Sequence, residues 1–558
     1  EGLLPILEWL PKYSVGALIQ DVIAGLTVGL TAIPQGLAYA VIAGLPPEYG
    51  LYSSLTAGVI YAFLGTCKDI SVGPTAILSA ITAKYVSDYS AEFAVLVGFL
   101  SGALIVSMAV LRLGFLVEFI SLPVISGFTT AAALQVSTSQ ITPLLGLRGR
   151  SGNYFADSVR NIVSNITTIK IWDTILGLIT VILLILLKKM GDGCGPKDAW
   201  LKKLRWLISI ARNTIVVIVG MFLAFILSRY AETEPFTLIG KINVGLPQFG
   251  LPPFNAVINN VTYSFGDMVE VLGAKSVVIP FVSILEVMVL SKVFSEGRVD
   301  VTQQMLALGI CNIVGSFGKS MPITGAFSRT ALNHVSNAQT PLGGVLTSIL
   351  IVLSLTLLTS SFAFIPKASL AALIIVAMCT MISITTMQHL WKNSKKELAV
   401  LIITLSVSLG FGLEFGIIAG VLTEVAITMY KQARPNLDNS ISYEKHEGKL
   451  LITIKLSQSV LYCSAEYLRR ELLKLTNHNN SVIVIDGVNV QNLDYTVASN
   501  LMSFTKDLEK KSRQVVLVNF NSSIVSLCVD IYPESINKFI DFKNCTNSSF
   551  TDLVIRSD

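Results

Sequence analysis

The feature that most constrains this chain is a succession of apolar runs, separated by short polar loops, that continues to about Arg434. Of the 558 residues, 52% are hydrophobic and 14% are charged, whereas a soluble domain carries about 25% charged residues. The mean hydropathy is +0.66, and a helix that crosses a bilayer needs about 20 apolar residues. The pattern predicts a polytopic α-helical membrane protein and excludes an ordinary soluble enzyme. About fourteen runs can be counted, centred on residues 17–44, 49–64, 73–86, 93–111, 120–144, 172–187, 213–228, 272–290, 302–317, 325–335, 342–359, 368–385, 398–412 and 415–430.

The composition changes after the last run. The segment "KQARPNLDNS" contains Pro435 and a polar stretch that would end a helix. We therefore place a membrane domain over residues 1–435 and a soluble domain over residues 436–558. In the soluble part "LLITIKL", "SVIVIDGV" and "QVVLVNF" are typical of strands, and "AEYLRRELLKL" and "TVASNLMSFTKDLEKK" of helices. This alternation predicts parallel strands with helical crossovers in an α/β fold.

Two apolar runs are too short to span a bilayer. They follow the Gly/Pro breaks in "ISVGPTAILSA" and "GKSMPITGAFSRTALNHVSN", and each is the third run of its half when the fourteen are divided seven and seven. Short, interrupted segments at corresponding places in two halves indicate an inverted-repeat transporter with its site at the broken helices.

Positive charge in the loops predicts the orientation. The loop after the sixth run, "KKMGDGCGPKDAWLKKLRWLISIAR", carries seven Lys and Arg residues, and smaller clusters follow the twelfth and fourteenth runs. Because Lys and Arg are in excess in cytoplasmic loops, both termini are predicted to be cytosolic. The glycosylation sequons at Asn165 and Asn260 follow odd-numbered runs and agree with this orientation. We expect the true start of the chain to lie upstream of Glu1.

The broken helices predict an anion site. A helix that starts inside the membrane exposes unpaired N–H groups and the positive end of its dipole. Two such ends facing each other can hold an anion without a buried cation. Pro34 in "TAIPQGLAYA" frees a carbonyl in the first run, and Gln35 beside it offers an amide. The other candidate donors are Ser71, Thr75, Thr324, Ser328 and Arg329, and the aromatic candidates are Tyr39, Tyr49, Tyr52 and Tyr61.

Two charges stand inside apolar runs. Glu286 lies in the middle of "VVIPFVSILEVMVLSKVF", and Arg329 opens the second broken helix. A charge at mid-membrane costs about 2.5–3.5 kcal/mol on insertion scales, so it usually faces a partner or a cavity. An ion pair between the two would lower both costs. Such a pair could lock two helices together, or it could be a switch in which protonation of Glu286 releases the charge of Arg329 to the anion.

Several other classes of function lack support. The seven cysteines form no CxxC pair and the four histidines are scattered, so we expect no metal site and no cofactor. No nucleophile–base set or Walker loop is present, which argues against an enzyme or an ATP-driven pump. The net charge of +5 is too balanced for a nucleic-acid partner.

These residues also carry a family resemblance. The segment "GLTAIPQGLAYAVIAGLPPEYGLYSSLTAGVIYAFLGTCKDISVGPTAILS" closely resembles the signature region of the sulfate permease (SulP) family of anion transporters. The segment from Pro47 to Ser54 is highly specific, whereas Cys67 stands where the family usually has Ser. The resemblance runs from "LEWLPKYS" to the end of the chain. "DYTV" and "GPTAILSA" point to the branch of animal sodium-independent sulfate transporters.

The resemblance implies fourteen helices in two inverted repeats that form core and gate domains, a homodimer, and a C-terminal STAS domain. The small hydroxylic Thr75 suits a larger oxyanion such as sulfate. In the soluble domain Tyr495 follows Asp494 where bacterial relatives have a phosphorylatable Ser. Because this phosphate acceptor is missing, we expect the domain to have a regulatory or dimer-contact role rather than to act as a phosphorylation switch. The anion-binding residues implied by the resemblance are Gln35, Tyr39, Thr75, Ala76, Phe327, Ser328 and Arg329, with Glu286 as the candidate for proton coupling.

We therefore expect sodium-independent secondary active transport of sulfate, and also of chloride, bicarbonate or oxalate, by an elevator-type motion coupled to protons or to anion exchange. The expected location is the cell membrane, the lysosomal membrane or both. Helix ends discriminate between anions by charge more than by shape, so the sequence does not predict which of these anions is preferred. A passive chloride-conducting channel of the same fold and a membrane-anchored scaffold are the alternatives. A nucleobase permease is disfavoured, because a nucleobase site needs carboxylates that accept from ring N–H groups, whereas this chain has Arg329.

Overall fold

The computed structural model describes residues 4–540 except 116–119, 150–153, 193–204, 206–207, 210, 231–234, 241–244, 259–260, 296–299, 435–440, 447–448, 457–458, 461, 476–480 and 511–513. The chain divides into two compact units, Glu1–Val421 and Leu422–Asp558. The boundary predicted at Pro435 and the sequon at Asn260 lie outside the described residues, as does most of the basic loop after the sixth run.

Each predicted span corresponds to a helix. In chain order these are α1 (Val15–Ile42), α2 (Glu48–Leu64), α3 (Ala76–Asp88), α4 (Ala91–Val110), α5 (Leu122–Leu144), α6 (Ile171–Asp192), α7 (Arg212–Tyr230), α8 (Val278–Phe294), α9 (Val301–Phe317), α10 (Phe327–Val335), α11 (Gly343–Leu353), α12 (Lys367–Cys379), α13 (Lys395–Phe411) and α14 (Leu413–Ala433). Helix α11 continues through a π-helical turn, Ser354–Leu358, into Thr359–Phe362. The third and tenth helices, α3 with 13 residues and α10 with 9 residues, are short as predicted.

Length and composition alone make four of the described segments able to cross a membrane: Val15–Ile42, Ala91–Val110, Ile171–Met190 and Lys367–Asn393. Side-chain caps begin several helices, as Ser14 does for α1, where its hydroxyl accepts from the N–H of Ala17 at 3.2 Å. Pro34 does not interrupt α1, which runs unbroken through it.

Among the described residues of the first unit, four helices are additional to the predicted spans. Ile6–Trp9, Phe155–Asn165, Phe265–Leu272 and Ile384–Asn393 are short, and the longer ones carry apolar residues on one face only. A search for long apolar runs passes over such helices, because their mean composition resembles that of a loop.

The two halves of the first unit interlock. Helix α4 packs along α9, and α11 packs against α1 and α2, whereas α12 packs against α5 and α6, and α13 against α5. Glycines allow close approach, since a Cβ at Gly58 of α2 would lie 2.3 Å from the carbonyl oxygen of Gly344 of α11. Small residues at such crossings let helix backbones gain van der Waals contact within a bilayer.

The described part of the first unit has four short strands, β1 (Val72–Gly73), β2 (Ala256–Ile258), β3 (Val261–Tyr263) and β4 (Thr324–Gly325). In the second unit the strands are β5 (Ile441–His446), β6 (Lys449–Lys455), β7 (Ser459–Val460), β8 (Ser481–Asp486), β9 (Asn492–Leu493), β10 (Val515–Val518) and β11 (Phe539–Ile540), and the helices are α15 (Ala465–Leu475), α16 (Tyr495–Glu509) and α17 (Ser522–Ile531). Five of these strands form a sheet in the order β11-β10-β8-β6-β5. Strands β6, β8, β10 and β11 are parallel, and β5 pairs antiparallel with β6 at the edge. The strands predicted at β6, β8 and β10 and the helices predicted at α15 and α16 are confirmed, while β5, β7, β9, β11 and α17 are additional.

Candidate functional site

Two short strands bring the broken helices together. Strand β1 (Val72–Gly73) pairs antiparallel with β4 (Thr324–Gly325). The N–H of Ala326 extends the pairing by donating to the carbonyl oxygen of Ser71 at 2.9 Å. Because the strands run in opposite directions, α3 and α10 leave them in opposite directions as well. The N-terminal ends of α3 and α10 therefore border one region, as the sequence predicts.

The two helix ends differ in how they are capped. Thr75 caps α3, and its hydroxyl oxygen accepts from the N–H of Leu78 at 3.4 Å. Ala326 occupies the corresponding position in α10 and makes no side-chain cap. The N–H groups in the first turn of α10 therefore stay available to a ligand, and the positive end of the helix dipole adds to their attraction for an anion.

A cavity lies between these helix ends. Glu286 of α8 lines it together with five of the predicted anion-binding residues, which are Tyr39, Thr75, Ala76, Phe327 and Ser328. Gln35 lies beside the lining and donates from Nε2 to the hydroxyl oxygen of Ser328 at 3.5 Å, while its own Oε1 is buried with no hydrogen-bond partner. The structure thus gathers these predicted residues around one cavity, and their roles in binding stay predictions.

Arg329 lies behind the cavity and binds the segment that leads into α3. It is 1% exposed. Its Nη2 donates to the carbonyl oxygen of Pro74 at 2.9 Å, and its Nη1 to the hydroxyl oxygen of Ser54 at 3.5 Å. The guanidinium fits because residue 73 is glycine, since a Cβ at Gly73 would lie 2.8 Å from Nη2. The Nε of Arg329 is buried with no partner.

The expected ion pair between Glu286 and Arg329 is not formed, and this corrects the sequence analysis. The Oε2 atom of Glu286 accepts from the hydroxyl of Thr75 at 3.2 Å, and Arg329 donates to Pro74 and Ser54. The two charged groups therefore hold successive residues of the same segment, one through a side-chain hydroxyl and the other through a backbone carbonyl. The interruption of the membrane helices thus gives Glu286 and Arg329 separate hydrogen-bond partners.

The carbonyl predicted to be freed by Pro34 has a partner. Proline has no N–H to donate to the carbonyl of Leu30, four residues earlier. The hydroxyl of Thr214 in α7 donates to that carbonyl oxygen at 2.5 Å. Pro34 therefore leaves α1 helical and ties it to α7.

The wall opposite the broken helices was missed by the sequence analysis. It comes from α5 and from the end of α12 with the turn after it. Most of its residues are apolar, and the hydroxyl of Thr129 donates back to the carbonyl oxygen of Ile125 at 3.0 Å, so no signal in the sequence separates them from ordinary packing residues. The missed residues are Ile125, Thr129, Ala377, Met378, Thr380 and Met381.

Other candidates lie elsewhere. The hydroxyl of Tyr52 donates to the carbonyl oxygen of Gly245 at 3.3 Å, and that of Tyr61 to Oε1 of Gln304 at 3.0 Å. At the end of α10, Nδ1 of the half-exposed His334 lies 3.0 Å from Oδ2 of the buried Asp69. Among the described residues, no group of three or more His, Cys, Asp or Glu side chains could hold a metal ion.

Comparisons with known proteins bear on this architecture. The model of the sulfate permease family matches residues 18–404, and that of the STAS domain matches residues 440–532. The sodium-independent sulfate anion transporter of Bos taurus is 38% identical over 536 residues, which cover 94% of this chain and 87% of the bovine protein. A probable sulfate permease of Schizosaccharomyces pombe is 32% identical over 454 residues, or 78% of this chain and 52% of the yeast protein.

A solved structure has the same fold. The murine Slc26a9 anion transporter matches with a TM-score of 0.80 and 22% identity, over 95% of this chain and 90% of the murine chain. With the STAS match, this confirms the predicted fold class, a polytopic α-helical membrane protein with inverted repeats and a C-terminal α/β STAS domain. Since the family model matches more than half of the residues and the bovine relative is similar over nearly all of them, the chain belongs to the sulfate permease family.

Proposed function

We propose that this chain is a sodium-independent secondary active transporter of sulfate that also accepts chloride, bicarbonate or oxalate. The observation that carries the proposal is the cavity between the N-terminal ends of α3 and α10, with the guanidinium of Arg329 buried behind it. The bovine relative is named for sodium-independent sulfate transport. We further propose a homodimer in the cell or lysosomal membrane with cytosolic termini, as the resemblance and the loop charges predict.

The groups around the cavity suit a compact anion. Each helix end contributes about 0.3–1 kcal/mol of stabilisation where it is exposed and up to about 2 kcal/mol where it is partly buried. Hydrogen bonds to charged groups contribute about 1.5–3 kcal/mol each. Ser328 and Thr75 place hydroxyls at the two helix ends. Together, the contributions of the helix ends and of these hydrogen bonds offset part of the free-energy cost of desolvating an anion. Binding is therefore weak enough to permit release.

The two sides of the cavity suggest how transport occurs. The polar groups come from α1, α3, α8 and α10, whereas α5 and α12 present a mainly apolar wall. We propose that the helices with the polar groups carry the anion along this wall in an elevator-type motion. An apolar surface without ion pairs to the bound anion offers little resistance to such sliding.

Proton coupling is proposed to act through the shared cavity. Sulfate brings two negative charges close to the Glu286 carboxylate, which already takes the Thr75 hydroxyl as donor. At a separation of about 4 Å and an effective dielectric of about 20, like charges repel by roughly 4 kcal/mol per unit pair. Loading of sulfate therefore draws a proton to Glu286, and uptake should grow as the loading side becomes acidic. Since Arg329 does not pair with Glu286, the proton acts on the anion directly.

The test is uptake of labelled sulfate by the full chain in liposomes, without sodium or ATP, with chloride and proton gradients imposed one at a time. We expect uptake driven by a gradient. Glu286→Gln should keep sulfate exchange and lose the proton dependence, and Arg329→Ala should weaken sulfate binding. Glu424→Gln in α14 is the matched control, because Glu424 is not among the residues that line the cavity.

Two outcomes would contradict the proposal. Liposomes that pass chloride in proportion to voltage, without sulfate uptake or countertransport, would identify a passive anion conductor. Full proton dependence in Glu286→Gln would make that carboxylate structural and move the coupling site elsewhere.

A further inference from the structure

We propose that a second cavity in the first unit captures divalent oxyanions before they enter the site between the broken helices. This outer vestibule lies between the end of α1, the far half of α3, the end of α5 and the segments that begin α6 and α12. The loop charges predict that this side is extracellular. The proposal rests on the proposed function and adds an entrance to it.

Three cations line the outer vestibule. They are Arg148, Lys170 and Lys367, and no carboxylate is among its described lining residues. Lys170 donates from Nζ to the hydroxyl oxygen of Thr237 at 3.2 Å. Within the described part of the chain, the side chains of Arg148 and Lys367 make no hydrogen bond and no ion pair. Two of the three charges are therefore free to meet an anion.

The positions of the lysines argue against a role in helix stability. Lys367 is the first residue of α12, and Lys170 directly precedes α6. A cation at a helix N-terminus opposes the helix dipole, which favours anions there. The dipoles of α6 and α12 instead add to the positive potential of the vestibule.

A buried carboxylate beside the outer vestibule does not cancel this potential. Asp173 in the first turn of α6 is 0% exposed. Its Oδ1 accepts from the N–H of Thr237 at 3.0 Å and its Oδ2 from the Thr237 hydroxyl at 2.6 Å. Its formal charge balances one of the three cations, so the vestibule keeps an excess of positive charge.

The outer vestibule is connected to the candidate anion site by one face of α3. Ala80, Ala83 and Ser87 line the vestibule, and Ala76 lines the cavity between the broken helices. At 1.5 Å per residue, these positions at helical spacing cover about 16 Å. Ala76 packs in an apolar cluster with Val136 of α5, a residue that also lines the vestibule. This packing separates the two compartments, and movement of α3 against α5 would join them.

The charge of the ligand sets the size of the expected effect. For an anion about 8 Å from one cation in water, a divalent ion loses about fourfold in affinity at 10 mM salt when that cation is neutralised. The loss falls to about twofold at 150 mM salt, because the Debye length is then about 8 Å. A monovalent ion such as chloride loses about twofold and about 1.4-fold under the same conditions.

The experiment measures the KM for sulfate on the vestibule side, at both salt concentrations, in full-length protein reconstituted into liposomes. We expect Arg148→Gln and Lys367→Gln each to raise this KM about fourfold at 10 mM salt, with the effects multiplying in the double variant. The KM on the opposite side should be unchanged. Lys367→Arg should restore the wild-type value, which separates lost charge from lost folding.

Arg160→Gln is the matched control. It removes the same charge from the helix Phe155–Asn165, outside the outer vestibule. Equal KM changes in the control and in the vestibule variants, or wild-type values and salt dependence in the double variant, would overturn the inference while leaving sulfate transport established. Absence of sulfate uptake in the wild-type protein would instead contradict the proposed function.

Discussion

Substitution of Gly73 by Ala tests whether the position of Arg329 controls anion binding. A Cβ at residue 73 would lie 2.8 Å from Nη2 and 2.9 Å from Nη1 of Arg329, and ordinary contact begins at 3.4 Å. The guanidinium must therefore retreat by about 0.6 Å, which strains its 2.9 Å hydrogen bond to the carbonyl oxygen of Pro74. Overpacking of this kind costs about 1–3 kcal/mol in stability. Under the proposed function the same guanidinium stabilises the anion, and loss of one hydrogen bond between it and sulfate would cost about 1.5–3 kcal/mol, a tenfold or larger rise in the dissociation constant of sulfate.

We expect Gly73→Ala to unfold at lower temperature in detergent and to raise the KM for sulfate about tenfold or more. Gly98→Ala in α4 is the control, because its Cβ would meet the nearest atoms at 3.4 Å, an ordinary contact. Adding Arg329→Lys to Gly73→Ala should recover stability, since the shorter, unforked side chain relieves the clash, without recovering sulfate affinity. A destabilised Gly73→Ala variant with wild-type KM would refute the link between Arg329 and the anion, and wild-type stability would refute the packing itself.

Two further predictions concern other parts of the chain. Thr214→Val removes the donor to the Leu30 carbonyl and should lower the free energy of unfolding in detergent by about 0.6–1.7 kcal/mol. This loss should be smaller in a Pro34→Ala background, because residue 34 then regains an N–H that can donate to the same carbonyl. An equal loss in both backgrounds would show that the Thr214 hydroxyl does not satisfy this carbonyl. Burial raises the pKa of the Cys528 thiol in the second unit to about 11, so at pH 8 the thiol stays protonated and iodoacetamide should modify the less buried Cys463 but leave Cys528 unmodified until the protein is denatured. Equal modification of the two thiols in native protein would contradict this burial.

Much of the fold follows from hydropathy, because the bilayer demands long apolar helices. The broken helices were predictable for the same reason, since the Gly/Pro breaks before Thr75 and Ser328 leave too few residues to span. The hydrogen-bond partners of the intramembrane charges could not be predicted from the sequence. Arg329 bonds to a backbone carbonyl at Pro74, 255 positions earlier, and no side chain marks that carbonyl in the sequence. A charge rule therefore pairs Arg329 with the wrong group, the carboxylate of Glu286.

The pairing of β1 with β4 has a consequence for how the protein is made. The strand Val72–Gly73 leaves the ribosome about 250 residues before its partner Thr324–Gly325. At about 5–20 residues per second, the wait is on the order of 12–50 seconds. During that time the nascent chain holds a helix too short to span and a strand whose backbone groups have no partner, which is costly in a bilayer. The insertion machinery must therefore shelter the first half in a water-accessible or protein-lined space until the second half arrives, and a ribosome that stalled between the two would leave a product prone to degradation.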